Sequence, residues 1–250
     1  MRAPAWRQTW KLTLRRRRLF AWNVAIPVLL LVPVVTSGAA ASHRAIVLAV
    51  FVAFFGAYGS CIPLIRDGMS GWVEKVLLTG YEGRRWLAER TAACAAIDLL
   101  QLLPATVLLL WLVDASARTA LLVLVATALA LAFANLLGVL VAAVVRALGE
   151  AALGCAVFSL FALHAAGVFR TPAPGSAWDV AERWSPFRPV HEVWLSALRR
   201  GGADPGARAV PWARWWDAFG LPALSLLGFA ILVYVVGSWS ARRIARSRSD

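Results

Sequence analysis

Six stretches of the 250-residue sequence carry almost no charge, and each is long enough to cross a lipid bilayer. A hydrocarbon core of about 30 Å needs about 20 helical residues at 1.5 Å each. The stretches are continuously apolar and do not alternate, which predicts helices and excludes a β-barrel. The sequence therefore predicts an all-α, multi-pass membrane protein with one domain over residues 1–250. The predicted spans are residues 21–42, 45–65, 91–113, 119–145, 151–169 and 218–241.

The composition excludes several other classes of protein. Apolar residues make up 60% of the chain and charged residues 16%, against about half and a quarter in an average soluble domain, which argues against disorder and against a soluble enzyme. Three cysteines without a paired spacing exclude a disulfide scaffold and are typical of core residues. The motifs of P-loop nucleotide sites, zinc proteases and serine hydrolases are absent. We therefore predict no catalytic, metal or cofactor site in this chain.

The formal net charge is +13, and in a membrane protein such an excess reports orientation rather than nucleic-acid binding. An even number of spans places both termini on one side. With cytoplasmic termini, the inner segments hold 17 of the 26 basic residues: 1–20, 66–90, 146–150 and 242–250. Seven of the other nine basic residues lie in the segment 170–217, and long segments such as this one carry little weight in the positive-inside rule. We therefore predict cytoplasmic termini and location in a bacterial inner (cytoplasmic) membrane.

The first twenty residues have the period of an amphipathic helix. Trp6, Trp10 and Leu14 recur at four-residue spacing. The stripe beside them is basic: Arg7, Lys11, Arg15 and Arg18. This pattern predicts a helix lying on the membrane, with its aromatic side among the headgroups and its arginines on anionic lipids. A simple basic anchor and a signal peptide cleaved near Ala41 are the alternatives, and the length of the first apolar run disfavours the latter.

Residues 66–85, between the second and third predicted spans, contain a short amphipathic pattern. Trp72, Val76 and neighbouring apolar residues recur at helical spacing, and Gly80 can end the helix. One interpretation is a helix resting on the lipid interface. The other is a docking helix in a groove of a soluble partner, with Trp72 as the anchor.

Asp98 lies inside the third predicted span, where a charged side chain is costly and faces protein or water. Gln101 follows on the same helical face, and Asn135 lies in the fourth span. Either these side chains line a polar path for an amphiphilic or cationic substrate, or Asp98 makes a hydrogen bond between helices, with Asn135 as a candidate partner. His164, near the outer end of the fifth span, is either simply hydrogen-bonded or part of a proton relay.

The segment 170–217 is predicted to form a cap on the outer side and contains six tryptophans among arginines and prolines. Within it, residues 190–200 predict a helix with Val190, Trp194 and Ala197 on one apolar side. We expect this side to pack on the membrane surface. A gate over a transport path is the alternative.

Two of these patterns together resemble a known family. Residues 63–67 read Pro-Leu-Ile-Arg-Asp, and residues 71–80 read Gly-Trp-Val-Glu-Lys-Val-Leu-Leu-Thr-Gly. This order after a second span is similar to the inner loop of the ABC-2 type permeases, the six-span membrane subunits of ABC exporters. Residues 185–189, Ser-Pro-Phe-Arg-Pro, followed by the amphipathic pattern, resemble the family's outer motif before the last span, although Ser185 and Phe187 depart from its commonest form.

The resemblance implies a permease that pairs with a second permease chain, the same or different, and binds separate P-loop ATPase subunits. ATP and Mg would be bound by that partner, and this chain would contact only the ATPase, the second permease and lipids, with no nucleic acid. The family's inner helix couples to the ATPase, which assigns that role to Arg66, Asp67, Gly71, Trp72, Glu74 and Lys75. The N-terminal helix resembles the family's connecting helix. Its residues Trp6, Trp10 and Lys11 would then lie near the coupling residues.

Two other functions remain as alternatives. One is an integral-membrane enzyme acting on lipids, and the other is an ion-coupled carrier; both would use Asp98 and His164. Nothing in the spans selects among drugs, lipids, glycans and peptides as the transported substrate.

Overall fold

The computed structural model describes residues 5–145, 147–200 and 219–246, with the side chains of 198–200 and 236–246 left aside. All regular structure in this part of the chain is helical. The helices are α1 (Ala5–Arg15), α2 (Arg17–Thr36), α3 (Ala41–Met69), α4 (Trp72–Leu78), α5 (Gly83–Leu112), α6 (Ala117–Val144), α7 (Leu148–Ala165), α8 (Ala177–Trp184), α9 (Phe187–Arg200) and α10 (Leu221–Arg246).

Five of these helices, α2, α3, α5, α6 and α7, are long and apolar enough to cross a membrane. The described apolar part of α10, Leu221–Val235, is shorter than a spanning length. The multi-pass, all-helical prediction is therefore confirmed, and the sixth span stays a prediction. The Arg84 guanidinium lies 5.3 Å from the centroid of the Tyr234 ring. This contact places the later part of α10 at the end of the bundle that carries α1, α4 and the start of α5, which we call the α1 end.

The helix boundaries differ from the predicted ones at the α1 end. The N-terminal helix stops at Arg15, and a break at Arg16 separates it from α2. Helix α3 continues through Arg66 and Asp67 to Met69, so only Trp72–Leu78 of the predicted coupling region forms a separate short helix. The backbone hydrogen bonds of a helix do not depend on hydropathy, and the helices therefore extend beyond the apolar runs that predicted them.

Helices α3 and α6 approach each other closely because small residues face one another. A methyl group placed on Gly56 would come within 2.5 Å of the Ala134 Cβ atom, and one on Gly138 would overlap the carbonyl group of Ala57. Lipid tails are as apolar as side chains, so helices in a bilayer associate through such close packing and through hydrogen bonds. The three cysteines, Cys61, Cys94 and Cys155, are free and buried, as predicted for core residues.

Helix α9 is buried against protein. Val190, Trp194 and Ala197 are each almost fully inaccessible and belong to the main core with residues of α3 and α6. The Phe187 ring lies 5.5 Å from the Phe133 ring, which is sixteen residues, or about 24 Å of helix, into α6. The expectation that this apolar side packs on the membrane surface is therefore wrong, because it packs on the bundle.

The rest of the predicted cap is described only in part. Trp178 and Trp184 lie on α8 and are partly exposed. The remaining tryptophans of the cap and the predicted helix terminator, Trp212, Trp215, Trp216 and Gly201, lie outside the described residues.

Because α3 and α6 are in close contact, alanine should destabilise the protein at a glycine in this interface and should be tolerated at a glycine outside it. Gly138→Ala adds a methyl group against the Ala57 carbonyl and should lower the free energy of unfolding by about 2 kcal/mol. Gly228→Ala, on α10, is the matched control and should leave stability equal or slightly higher, because no atom of the described residues lies within 4 Å of the added carbon. Unfolding of both variants in mixed detergent micelles, followed by circular dichroism, checks the expectation. Equal stability of the two variants would contradict the tight interface.

Candidate functional site

Helix α1 is held to the bundle by a buried arginine. Arg90, on α5 and 8% exposed, donates from Nη1 to the Thr9 hydroxyl at 2.6 Å. Its Nη2 atom lies 2.9 Å from Oδ2 of Asp67 at the end of α3. We call Thr9, Asp67 and Arg90 the Arg90 node. Because these residues belong to α1, α3 and α5, one side chain joins three helices.

A neighbouring contact holds the start of α1. The Ala5 backbone N–H donates to Oε2 of Glu89 at 2.9 Å, and Glu89 also accepts from Nε of Arg85 at 2.9 Å. Ala5 and Thr9 are the buried residues of α1, whereas Trp6 is 45% exposed and Trp10 is half-buried. The helix therefore packs its small and polar side on the bundle and leaves Trp6 exposed, and its location on a membrane surface stays a prediction.

Between α1 and α4 lies a groove of about 750 Å³. Trp72 and the buried Trp86 form its apolar part. Its basic side chains come from both helices: Arg7, Lys11, Arg15 and Lys75. Among the described residues, none that lines the groove is acidic. Burial raises the pKa of the Tyr81 hydroxyl in the wall, and Glu89 adds to the rise, so this group contributes no negative charge at neutral pH. We call this surface the basic groove.

The basic groove is continuous with the Arg90 node. A smaller cavity of about 300 Å³ shares Trp72 and Trp86 with the groove and reaches Asp67 and Arg90. Gly71 immediately precedes α4, and its φ of +67° is a left-handed conformation that glycine adopts without strain. The tight turn from α3 into α4 therefore favours a glycine at this position.

The structure brings together some of the predicted coupling residues and separates others. Lys11, Trp72 and Lys75 line the basic groove, and Asp67 lies next to it in the Arg90 node. Arg66 is exposed near the end of α3 and lines a different cavity. Glu74, in the first turn of α4, is outside the groove.

A third cavity, of about 470 Å³, lies between α1, α2, α3 and α5. Asp98 and Gln101 line it, together with Asn23 of α2, and Arg66 lies near its α1 end. The side chains of Asn23 and Gln101 meet across it, with a distance of 3.4 Å from Nδ2 to Oε1. We call this cavity the Asp98 cleft.

Asp98 is connected to a buried polar chain between helices. Asn135 donates from Nδ2 to Oδ2 of Asp98 at 3.0 Å, and its own Oδ1 accepts a hydrogen bond from the Ser60 hydroxyl. The hydrogen bond between helices is thus present, and Asp98 also lines the cleft. Asn135 contacts the carboxylate from behind and does not line the cleft. The two alternatives for Asp98 therefore do not exclude each other.

Gly59 makes room for this carboxylate. A Cβ atom on Gly59 would collide with the carboxylate of Asp98. Sequence reasoning missed Gly59, Thr9 and the role of Arg90, because these contacts join residues distant in the chain. A usable signal was present for one of them: Asp67 and Arg90 are opposite charges near the inner ends of consecutive spans.

His164 lies away from Asp98. Its ring packs edge-on against Trp178 of α8, with centroids 5.4 Å apart, and it is not among the residues that line the Asp98 cleft. The structure therefore does not bring together the pair that an enzyme or carrier would use. Among the described residues, no three histidine, cysteine or acidic side chains cluster closely enough to bind a metal ion.

The fold and these cavities define a helical membrane protein with a surface groove joined to an internal cleft. The model of the ABC-2 type transporter family matches residues 5–198, more than half of the chain, and the chain belongs to this family. A comparison with curated proteins finds no match. The resemblance seen in the sequence is thereby confirmed. The chain is a transport component of an ABC transporter, and members of this family normally work with an ATP-binding partner.

If the Arg90 node holds α1 on the bundle, loss of Arg90 should speed up amide hydrogen exchange in α1. Arg90→Met removes both contacts, and amide hydrogen exchange in residues 5–15 should rise at least about tenfold, as expected for loss of a charged, buried hydrogen bond. Arg84→Met is the control because Arg84 is on the same helix but contacts Tyr234 of α10. Exchange measured by mass spectrometry in detergent checks this. An unchanged α1 in Arg90→Met would show that the node does not hold it.

Proposed function

We propose that the chain is the permease subunit of an ABC exporter with six spans and cytoplasmic termini, and that it moves an amphiphilic substrate across the inner membrane. The observation that carries the proposal is the continuity from the basic groove through the Arg90 node to the Asp98 cleft. The groove on the surface and the cleft within the bundle share helices α1 and α5, and the Arg90 node joins these two helices to α3. The family match supports the transport role.

In this proposal the basic groove receives an acidic segment of a separate ATPase subunit. Four basic side chains around two tryptophans favour a partner with carboxylates at its rim and an apolar residue at its centre. Binding of ATP and Mg, and hydrolysis, take place in that partner. Arg66 near the end of α3, Gly71 ahead of α4 and Glu74 in its first turn do not line the groove, and they would contribute to its geometry or to the rim of the contact.

Movement of the docked ATPase would reach the cleft through two backbone links, which act as one only while the Arg90 node holds α1, α3 and α5 together. Helix α4 follows α3 through a turn in which the Ser70 N–H donates to the Arg66 carbonyl at 3.0 Å, so displacement of α4 pulls on α3. Helix α1 is separated from α2 only by Arg16, so displacement of α1 pulls on α2. Because α1, α2, α3 and α5 bound the Asp98 cleft, relative movement among them would open or close it. This supports alternating access driven from the groove.

A second permease chain is part of the proposal. Only 11% of the apolar window of α2 is buried inside the chain, although its neighbours α3 and α5 are about half buried. Trp22, Leu29 and Leu30 are exposed on it. This surface is available to lipid and to a second copy or a different permease, and the low burial supports a dimer.

Charge reversal in the groove tests the docking. A P-loop ATPase should co-purify with the tagged chain extracted from its native membranes in mild detergent. The double change Lys11→Glu and Lys75→Glu should lower the amount recovered at least about tenfold, because it places two carboxylates against an acidic partner. Quantitative mass spectrometry of the co-purified proteins measures this.

Arg84→Glu is the control because Arg84 lies at the same end of the bundle but does not line the groove. It should retain the ATPase. Equal recovery with the double variant and the wild type would remove the groove as the docking surface. Absence of any ATPase from the folded wild-type chain, even after crosslinking, would contradict the exporter.

A further inference from the structure

The Asp98 cleft contains a buried carboxylate that has no ion-pair partner among the described residues. Asp67 and Arg90 also line the cleft, but they form an ion pair with each other at 2.9 Å. Asp98 is 5% exposed, and among the described residues no arginine, lysine or histidine forms an ion pair with it. Its Oδ2 atom accepts the hydrogen bond from Asn135, whereas no hydrogen bond to Oδ1 occurs within the described chain. One carboxylate oxygen is thus available at the wall of a cavity.

The position of this carboxylate is enforced from two sides. Asn135 holds one oxygen from behind, and Asn135 is itself fixed by the Leu131 carbonyl at 3.0 Å and by Ser60. Gly59 leaves the space that the carboxylate occupies. A charge inside a span is expensive and is retained where it has a partner or a function. The packing therefore fixes the Asp98 carboxylate at the wall of the cleft.

Aromatic side chains form much of the remaining wall. Phe20 of α2 lines the cleft together with Phe54, Phe55 and Tyr58 of α3. The Phe54 and Tyr58 rings are stacked with centroids 6.0 Å apart. Faces of aromatic rings attract cations and also bind apolar groups, so the wall suits a ligand that carries both. A volume of about 470 Å³ is within the range of small-molecule sites.

We propose that the Asp98 cleft binds an amphiphilic amine, with its ammonium group on Asp98 and its apolar part along the aromatic wall. The amide oxygens of Gln101 and Asn23, which line the same cleft, would accept the remaining ammonium hydrogens. Arg16 and Arg66 line the cleft as well and disfavour small hydrophilic cations, which have no apolar part to offset the repulsion. The proposal rests on the proposed exporter function and names the class of its substrate.

Two probes of the same shape test the charge requirement. The purified full chain in lipid nanodiscs should bind 4-phenylbutylamine at least about tenfold more tightly than 4-phenylbutanol, measured by calorimetry against empty nanodiscs. In Asp98→Asn, which keeps the size of the side chain and a partner for Asn135, the two affinities should become equal. Asp114→Asn is the control, since Asp114 is exposed at the turn between α5 and α6 and lies outside the cleft. An amine preference retained in Asp98→Asn would overturn the proposal.

A measurement on the wild-type chain keeps the test decisive where a variant fails to fold. Dicyclohexylcarbodiimide, an apolar reagent, modifies carboxyl groups accessible from apolar cavities, and peptide mass spectrometry locates the adduct. Asp98 should be modified, and N,N-dimethyl-4-phenylbutylamine, a tertiary amine that the activated carboxyl cannot acylate stably, should protect it at least about fivefold better than 4-phenylbutanol, because only the amine pairs with the carboxylate. Equal protection by the two probes, or no modification of Asp98, would overturn the amine site.

Failure of this inference is distinguishable from failure of the exporter. The same membranes provide the ATPase co-purification, and Asp98→Asn should retain the ATPase because Asp98 is outside the basic groove. If the ATPase co-purifies but the wild-type chain does not prefer the amine, the amine site is overturned and the exporter stands. If the wild-type chain prefers the amine but no ATPase co-purifies, the amine site is supported and the exporter is overturned.

Discussion

The ion pair between Arg90 and Asp67 is the contact on which the arrangement of α1, α3 and α5 depends. The pair is 2.9 Å long, nearly buried, and extended by the hydrogen bond to Thr9 at 2.6 Å. Removal of one partner from such a group leaves an uncompensated charge, so the three helices gain a strong preference for one arrangement. The same residues lie between the basic groove and the Asp98 cleft. A displacement of one helix at this point must therefore move the others or break the pair.

A second constraint fixes the interior. The close approach of α3 and α6 at Gly56 and Gly138 brings Ser60 and Asn135 together, and Asn135 then holds Asp98 on α5. Small residues and a short polar chain thus replace the hydrophobic effect, which is weak between helices in lipid. Helices α3 and α6 share the most extensive interface in the described part of the chain. Of the helices that bound the groove or the cleft, α1, α2 and α4 contact this pair through few residues.

Much of this could be predicted from the sequence because the signals are local. Continuous apolar runs predicted the long helices, and the lone charge at Asp98 predicted a buried polar contact with Asn135, which is present. The contact between Thr9 and Arg90 could not be predicted, since the two residues are 81 positions apart and neither stands out by itself. The burial of α9 was missed because an amphipathic helix has the same period whether it packs on lipid or on protein. Whether the basic groove binds an ATPase depends on a second chain, which the sequence of this one does not contain.

In the proposed mechanism, movement at the basic groove reaches the Asp98 cleft only while Arg90 joins the helices. The direct measurement uses the transporter reconstituted with its ATPase and an alkylating probe on a single cysteine at Ile97, which lines the cleft, in a chain without other cysteines. ATP should change the alkylation rate at least about fivefold in the chain with Arg90, because the cleft opens or closes. In Arg90→Met, with the ATPase still bound and hydrolysing, the ATP-dependent change should disappear. A change of the same size in both proteins would contradict the account.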